Sequence, residues 1–164
     1  MYNHFNLMFK LCGVVIVDYQ KELNYFLVKV FNEILRIEED CLRTGEFCNV
    51  SVREMHVIEA VSLAEKSGGN RSSDIALTLG VLAGTLTTSV KLLEKKGCIT
   101  RKKDSRDKRI VRLYVTEKGK RAYAVHQSFH KKMVDDVLAA LSRNEAKILI
   151  KGLKSLESFF IKNK

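Results

Sequence analysis

The sequence predicts a mainly α-helical protein with one small β-hairpin, and three observations carry that prediction. Across most of the 164 residues, apolar side chains recur at three- and four-residue steps. One short region near residues 99–115 instead alternates at the strand period around an almost wholly charged loop. There is no proline anywhere, so glycines supply the punctuation, at Gly45, Gly68-Gly69, Gly80 and Gly97.

The elements follow in order. Leu23 to about Cys41 reads as a long amphipathic helix, with Leu23, Phe26, Leu27, Val30, Ile34 and Ile37 on one stripe. Thr44-Gly45-Glu46 breaks it. Ser51-Val52-Arg53-Glu54 has capping-box spacing and starts a helix through Ile58 and Val61 that ends before Ser67-Gly68-Gly69-Asn70. Asn70 or Arg71 opens a short helix through Ile75, Ala76 and Leu79, stopped by Gly80. The next runs from about Gly84 to Lys96 and is stopped by Gly97; its wheel sets Leu86, Val90 and Leu93 opposite Gly84, Thr87, Thr88, Lys91 and Lys95. Two helices joined by a turn at Gly80 form a helix-turn-helix, whose second member is the one that enters a major groove.

Ile99–Arg101 and Ile110–Val115 read as strands, joined by the charged loop Lys102–Lys108. A basic hairpin beside a recognition helix is a wing. Thr116 caps a long helix through Phe129, Met133, Val137 and Leu141, and Ser142-Arg143-Asn144-Glu145 is a second capping box. The last helix carries Ile148, Leu149, Leu153, Leu156 and Phe160 on one stripe.

Charge narrows the function. Arg71 to Arg121 holds 14 Lys/Arg against 5 Asp/Glu, while the rest of the chain holds 15 against 14. A balanced scaffold with one strongly basic third is the footprint expected for a polyanion, here double-stranded DNA. No nucleophile–base pair, carboxylate dyad or phosphate loop appears, so the sequence offers an enzyme nothing to work with. Cys12, Cys41, Cys48 and Cys98 lack CxxC spacing, which fits reduced cytoplasmic thiols rather than a zinc ribbon or a disulfide framework. No apolar run reaches 18 residues, so no membrane span is expected. The apolar first 17 residues lack a basic start and a small-residue cleavage site, which argues against a signal peptide.

Three motifs in this order resemble the MarR family of winged-helix regulators. They are Leu93-Glu94-Lys95-Lys96-Gly97 at the end of the recognition helix, Asp104-Ser105-Arg106-Asp107-Lys108-Arg109 as the D-x-R-D-x-R wing signature, and Leu113-Tyr114-Val115-Thr116-Glu117-Lys118-Gly119 as its closure. Within the family the chain is similar to the FabT branch, repressors of fatty-acid synthesis genes. Ile37-Glu38-Glu39, Leu42-Arg43, Glu54-Met55-His56, Leu86-Thr87-Thr88-Ser89, and His126 with Phe129-His130 and Met133-Val134 carry this. The chain departs from that branch at Arg71-Ser72, where a Thr-Pro pair is usual.

The resemblance and the pattern together give expectations. Thr85, Thr87, Thr88 and Lys91 are assigned to base edges and phosphates, with Arg71, Ser73 and Gly84 beside them. Lys102, Lys103, Arg106, Lys108 and Arg109 are assigned to wing contacts with phosphate or the minor groove, and Asp107 to bracing a neighbouring arginine. Met55, His56, His126, Phe129, His130 and Met133 are expected to line an apolar effector pocket. The resemblance implies a long acyl chain on acyl carrier protein as its occupant, acting as co-repressor, and no cofactor. The alternative is zinc: His126 and His130 have the i, i+4 spacing of metal ligands, some members of the family sense zinc from this helix, and Glu38, Glu39, Cys41 or Cys48 would complete a site. A peroxide-sensing thiol is not expected, since Cys98 stands where the family packs an apolar side chain.

The expected organisation is an extension at 1–17, a dimerisation helix and loop at 18–50, the winged helix-turn-helix at 51–121, and dimerisation helices at 122–164. The apolar stripes of the terminal helices exceed what one small domain covers, so a homodimer on a pseudo-palindromic site is expected. The resemblance begins at Val17-Asp18-Tyr19-Gln20. Residues 1–16 are therefore read as an upstream extension from a misassigned start, or else as an extra segment packed on the dimer.

Overall fold

A computed structural model describes residues 18–43 and 45–162. The expected extension at 1–17 and the breaker at Thr44 lie outside the described residues. The element order is α1 (Tyr19–Arg43), α2 (Val52–Ser67), α3 (Ser72–Leu79), α4 (Ala83–Lys95), β1 (Ile99–Lys103), β2 (Val111–Val115), α5 (Glu117–Ala139) and α6 (Arg143–Lys162). This is the helix-rich winged helix-turn-helix that the sequence predicts.

Where boundaries differ from the prediction, local hydrogen bonds explain the difference. Helix α1 starts four residues before Leu23 because Asp18 caps it, accepting from the Lys21 N–H at 3.2 Å. Arg71 precedes α3 in extended conformation but caps nothing with its side chain, so the helix itself begins at Ser72. Strand β2 starts at Val111 because the Ile110 N–H bonds Asp107 O and its carbonyl accepts from Asp104, which commits Ile110 to the turn. Helix α5 stops at Ala139, short of Leu141, because the Ser142–Glu145 capping box takes over the chain. Gly80, with φ 64°, ends α3, and α4 leaves it at a bend of 109°.

One core holds the reading elements together. It is built from Met55, Ile58 and Val61 of α2, Ile75 of α3, Leu86, Val90 and Leu93 of α4, and Leu113 of β2. The strands pair antiparallel from Ile99 opposite Val115 to Lys103 opposite Val111, and β1 lays Ile99 and the preceding Cys98 into the same core. Each side chain of this size contributes about 1.5–3 kcal/mol when fully buried. Lys96 closes the core's edge, its Nζ lying 2.7 and 2.6 Å from the two Glu54 carboxylate oxygens, so the start of α2 is tied to the end of α4.

The terminal helices behave differently. Leu23, Phe26 and Phe31 of α1 and Leu153, Phe159 and Phe160 of α6 are all more than half exposed. Helix α6 buries no residue at all. Among the described residues, no single helix is long and apolar enough to cross a membrane.

Two positions give sharp stability tests. A Cβ on Gly119 would sit 2.2 Å from the Cys98 carbonyl oxygen and 2.6 Å from a Val115 methyl, so α5 approaches β1 at glycine distance. Gly119→Ala should cost about 1–3 kcal/mol, toward the upper end, read as a lowered denaturant midpoint, because backbone cannot step aside. At Glu54, burial alone would raise the pKa, but hydrogen bonds from Lys96 and Ser51 outweigh it and hold the carboxyl below the ordinary glutamate value. Stability from a depressed carboxyl is complete above the unfolded pKa and is lost as pH falls through the folded one. Glu54→Gln should therefore be destabilised by about 1–3 kcal/mol near neutral pH. Thermal melts should show its gap to wild type narrowing as pH drops below about 4.3.

Candidate nucleic-acid interface and effector site

The reading surface is set out by α4. Leu86, Val90 and Leu93 are buried to 1% or less, which turns Gly84, Thr85, Thr87, Thr88 and Lys91 outward, all exposed. The threonines are partly committed: Thr87 Oγ1 donates to the Ala83 carbonyl at 2.8 Å and Thr88 Oγ1 to the Gly84 carbonyl at 3.1 Å. Each hydroxyl then presents its oxygen outward as an acceptor. Arg71 and Ser73 are exposed at the start of α3, with the Ser73 hydroxyl turned to Asp74 at 3.0 Å.

The wing is ordered by two aspartates. Asp104 accepts the backbone N–H of Arg106 at 2.8 Å and of Asp107 at 3.2 Å, and it also binds Arg112 Nε. The Arg112 hydrogen bond, followed by the two amides, holds the Asp104 carboxyl well below the usual carboxylate range. Asp107 accepts from the Arg109 side chain at 3.1 and 3.0 Å and from its backbone at 2.9 Å, which lowers its pKa as well. Arg109 stays 91% exposed while held this way, so its guanidinium is fixed yet available. Lys102, Lys103, Arg106 and Lys108 are exposed around it, with Lys102 over the Tyr114 ring at 5.3 Å.

The sequence offered Asn70 only as one of two openers of α3 and gave Arg112 no site role. Arg112 donates to Asn70 Oδ1 at 2.9 Å, and Asn70 Nδ2 donates to the Leu113 carbonyl at 2.8 Å. These bonds join β2 to the segment that opens α3. The first Asp of the wing signature was the available signal, since a carboxylate there calls for a cationic partner. A hollow of about 510 Å³ between Arg71, Asp104, Arg106 and Arg112 lies at the joint.

The expected effector residues are not brought to one place. Phe129 and Met133 line an apolar cleft of about 560 Å³ between α5 and α1, opposite Phe26, Val30, Ile34 and Ile37. Met55 does not line it: it is fully buried in the core cluster that also holds Ile58 and Leu93. His56, His126 and His130 converge instead on Glu38. His130 Nε2 lies 2.8 Å from Glu38 Oε1, and His56 Nε2 lies 3.7 Å from Oε2. The His126 and His130 rings meet edge-on at 4.4 Å. One atom each of Glu38, His56 and His126 falls within 4.8 Å of the others. Glu38 Oε2 and His126 Nε2 are buried without a hydrogen-bond partner, and His126 is kept below the usual histidine pKa by burial and then by His130. Of the other candidate ligands, Cys41 and Cys48 are exposed on the surface and neither they nor Glu39 join this cluster. Cys98 is fully buried, and burial pushes its thiol pKa up, the opposite of a sensor thiol.

Comparison with known proteins agrees with this geometry. The model of the MarR family matches residues 55–111. Streptococcus pneumoniae FabT, solved in complex with DNA, is 37% identical, with a TM-score of 0.81 over 90% of this chain and 100% of that one. The MepR–DNA complex of Staphylococcus aureus shares the fold at 20% identity, with a TM-score of 0.70 over 82% of this chain and 96% of that one. YwaE of Bacillus subtilis (strain 168), an uncharacterised HTH-type transcriptional regulator, is 32% identical over 83 residues. The match covers 50% of this chain, which spans about half of that curated relative, 48% of its length. By the family model and the end-to-end match to FabT, the chain belongs to the MarR family of winged helix-turn-helix transcription regulators, DNA-binding proteins rather than enzymes.

Proposed function

We propose that the chain is a cytoplasmic repressor that binds a pseudo-palindromic operator as a homodimer and controls fatty-acid synthesis genes, with long-chain acyl-acyl carrier protein as co-repressor. The observation that carries this reading is the apolar cleft of about 560 Å³ between α1 and α5, in a chain 37% identical to FabT. The cleft is of a size to take a lipid tail, and Phe129 and Met133 give it broad, adaptable apolar walls. In this reading 18–50 and 122–164 form the dimer and 51–121 reads DNA. The half-exposed apolar faces of α1 and α6 are covered by a second copy. An acyl chain wedged between α1 and α5 fixes the angle between the dimer helices, and thereby the spacing of the two α4 helices.

At the operator, Thr85, Thr87, Thr88 and Lys91 face the major groove, flanked by Arg71, Ser73 and Gly84. With their protons bonded inward, Thr87 and Thr88 accept from adenine or cytosine amino groups. Lys102, Lys103, Arg106, Lys108 and Arg109 take phosphates or the minor groove, and Asp107 aims Arg109.

A second reading has its own observation. Glu38, His56, His126 and His130 offer one carboxylate and three imidazoles from three helices; two buried ligand atoms lack a hydrogen bond, and His126 Nε2 lies 3.5 Å from Glu59. That donor set suits zinc, acting as the effector in place of the acyl chain.

Arg109→Ala should weaken operator binding roughly five- to a hundredfold while leaving secondary structure unchanged. Wild-type binding should fall with salt at a log–log slope of about −0.9 per phosphate neutralised. Unchanged affinity in the variant would remove Arg109 from the interface. Gel shifts separate the two effectors. Tighter binding with long-chain acylated carrier protein, and not with the unacylated form, is expected. Chelator sensitivity that His130→Ala abolishes, with no response to the acylated carrier, would replace lipid by zinc.

A further inference from the structure

Among the described glycines, two stand inside helices without positive φ and with open room where a side chain would go: Gly84 of α4 and Gly152 of α6. Glycine is the least favourable helix residue after proline, so the isolated fold would gain from an alanine at either place. Gly152 has Ile148, Leu149 and Leu156 as its surface neighbours, on the apolar face that the second copy covers in the reading above. Gly84 stands elsewhere. At 100° per residue it lies about 120–180° from the buried Leu86, Val90 and Leu93, and within about 40° of Thr88, Lys91 and Lys95. It is exposed in the first turn of α4, and the first residues of a recognition helix are the ones that meet base edges. The side chains around it are short. The Thr87 and Thr88 hydroxyls are bonded back to the Ala83 and Gly84 carbonyls, at 2.8 and 3.1 Å, so their oxygens lie close against the helix. They touch a base only when the backbone itself comes down to the groove floor. A helix with side chains is about 10–12 Å across, and the major groove is about 12 Å wide and 8.5 Å deep. There is little room to spare.

We propose that Gly84 is a specificity-determining residue: by lacking a side chain it lets the first turn of α4 seat deep enough for Thr87 and Thr88 to reach base edges. The inference rests on the reading that α4 enters the major groove, and it adds what makes that entry sequence-selective. Lys102, Lys103 and Arg109, exposed on the wing, take phosphate without needing this depth. A side chain at position 84 therefore removes the preference for one sequence and leaves charge-driven binding in place. The fold gives up helix stability at Gly84 and recovers it as selectivity on DNA.

The test compares full-length wild type with Gly84→Ala, Gly84→Val and Thr88→Val, the last removing one acceptor oxygen from the same face at nearly constant size. Two probes are used in gel shifts: the tightest duplex that wild type selects from a random-sequence library, and a scrambled duplex of equal length and composition. In denaturant, Gly84→Ala should have a midpoint equal to or above wild type. Its affinity for the selected duplex should nevertheless fall at least about tenfold, and that of Gly84→Val further, while affinity for the scrambled duplex stays within about twofold. Thr88→Val should likewise weaken on the selected duplex alone. Full affinity in both glycine variants, with Thr88→Val weakened, overturns the role of Gly84 and leaves α4 as the reading helix. Full affinity in all three variants overturns the groove reading together with it. Equal losses on both duplexes assign Gly84 to the phosphate backbone and overturn its part in specificity. A lowered midpoint for Gly84→Ala makes the glycine a requirement of the fold and overturns the proposal as well.

Discussion

The reading head depends on one joint, where Arg112 meets Asp104 and Asn70. A two-stranded hairpin is marginal alone in water, and among the described residues this one has no third strand, only an isolated antiparallel bridge from Arg112 to Arg71. Its support comes from Leu113 and Val115, which enter the core, and from Asn70, whose side chain and backbone carbonyl both bond Leu113. Arg112 then ties Asn70 to Asp104, and Asp104 shapes the loop by accepting two of its amides. The wing tip is therefore fixed to the segment that opens α3, not merely to its own strands. A guanidinium that binds two side chains across this joint cannot be replaced by lysine, whose point charge lacks the fork.

A path of contacts runs from the Glu38 cluster to the recognition helix. His56 faces Glu38 on one side and, on the other, lines a small cavity with Thr85, Leu86 and Ser89 of α4. Any occupant that draws His56 toward Glu38 acts on the wall against which α4 rests. Helix α2 is the rigid element between them, since Met55, Val57, Ile58 and Val61 are core residues and Glu54 is bonded to Lys96 at the far end of α4. Helix α2 thus meets the recognition helix near both of its ends.

The fold was legible because its signals are local. The glycines at 68, 80 and 97 all take left-handed backbone, and the boxes at Ser51 and Ser142 both close, so the helix ends beside them were marked in the sequence. Periodicity also gave the inward face of α4. What sequence could not supply was the direction of side chains across elements. Met55 and His56 are neighbours in the chain, but one helical step of about 100° sends Met55 into the core and His56 toward α1. Glu38 likewise has no sequence signal for burial; three histidines from two other helices make it tolerable. Asn70 and Arg112 lie 42 residues apart, so their bond belongs to tertiary structure alone.

The two candidate effector sites share a wall, and this limits how they can act. Ile37 lines the apolar cleft while Glu38, the next residue, holds the histidine cluster. Phe129 lines the cleft while His130 bonds Glu38, and their rings lie 5.0 Å apart. An acyl chain that pushes on Phe129 therefore pushes on His130, and anything that tightens the Glu38–His130 contact pulls α1 and α5 together over the cleft. Were both sites occupied, the two occupants would act on the same helix pair, and by thermodynamic reciprocity each would change the other's affinity by the same factor. The apolar cleft and the polar cluster lie side by side along one helix pair, and the buried carboxylate at Glu38 keeps that seam from being plain hydrophobic core.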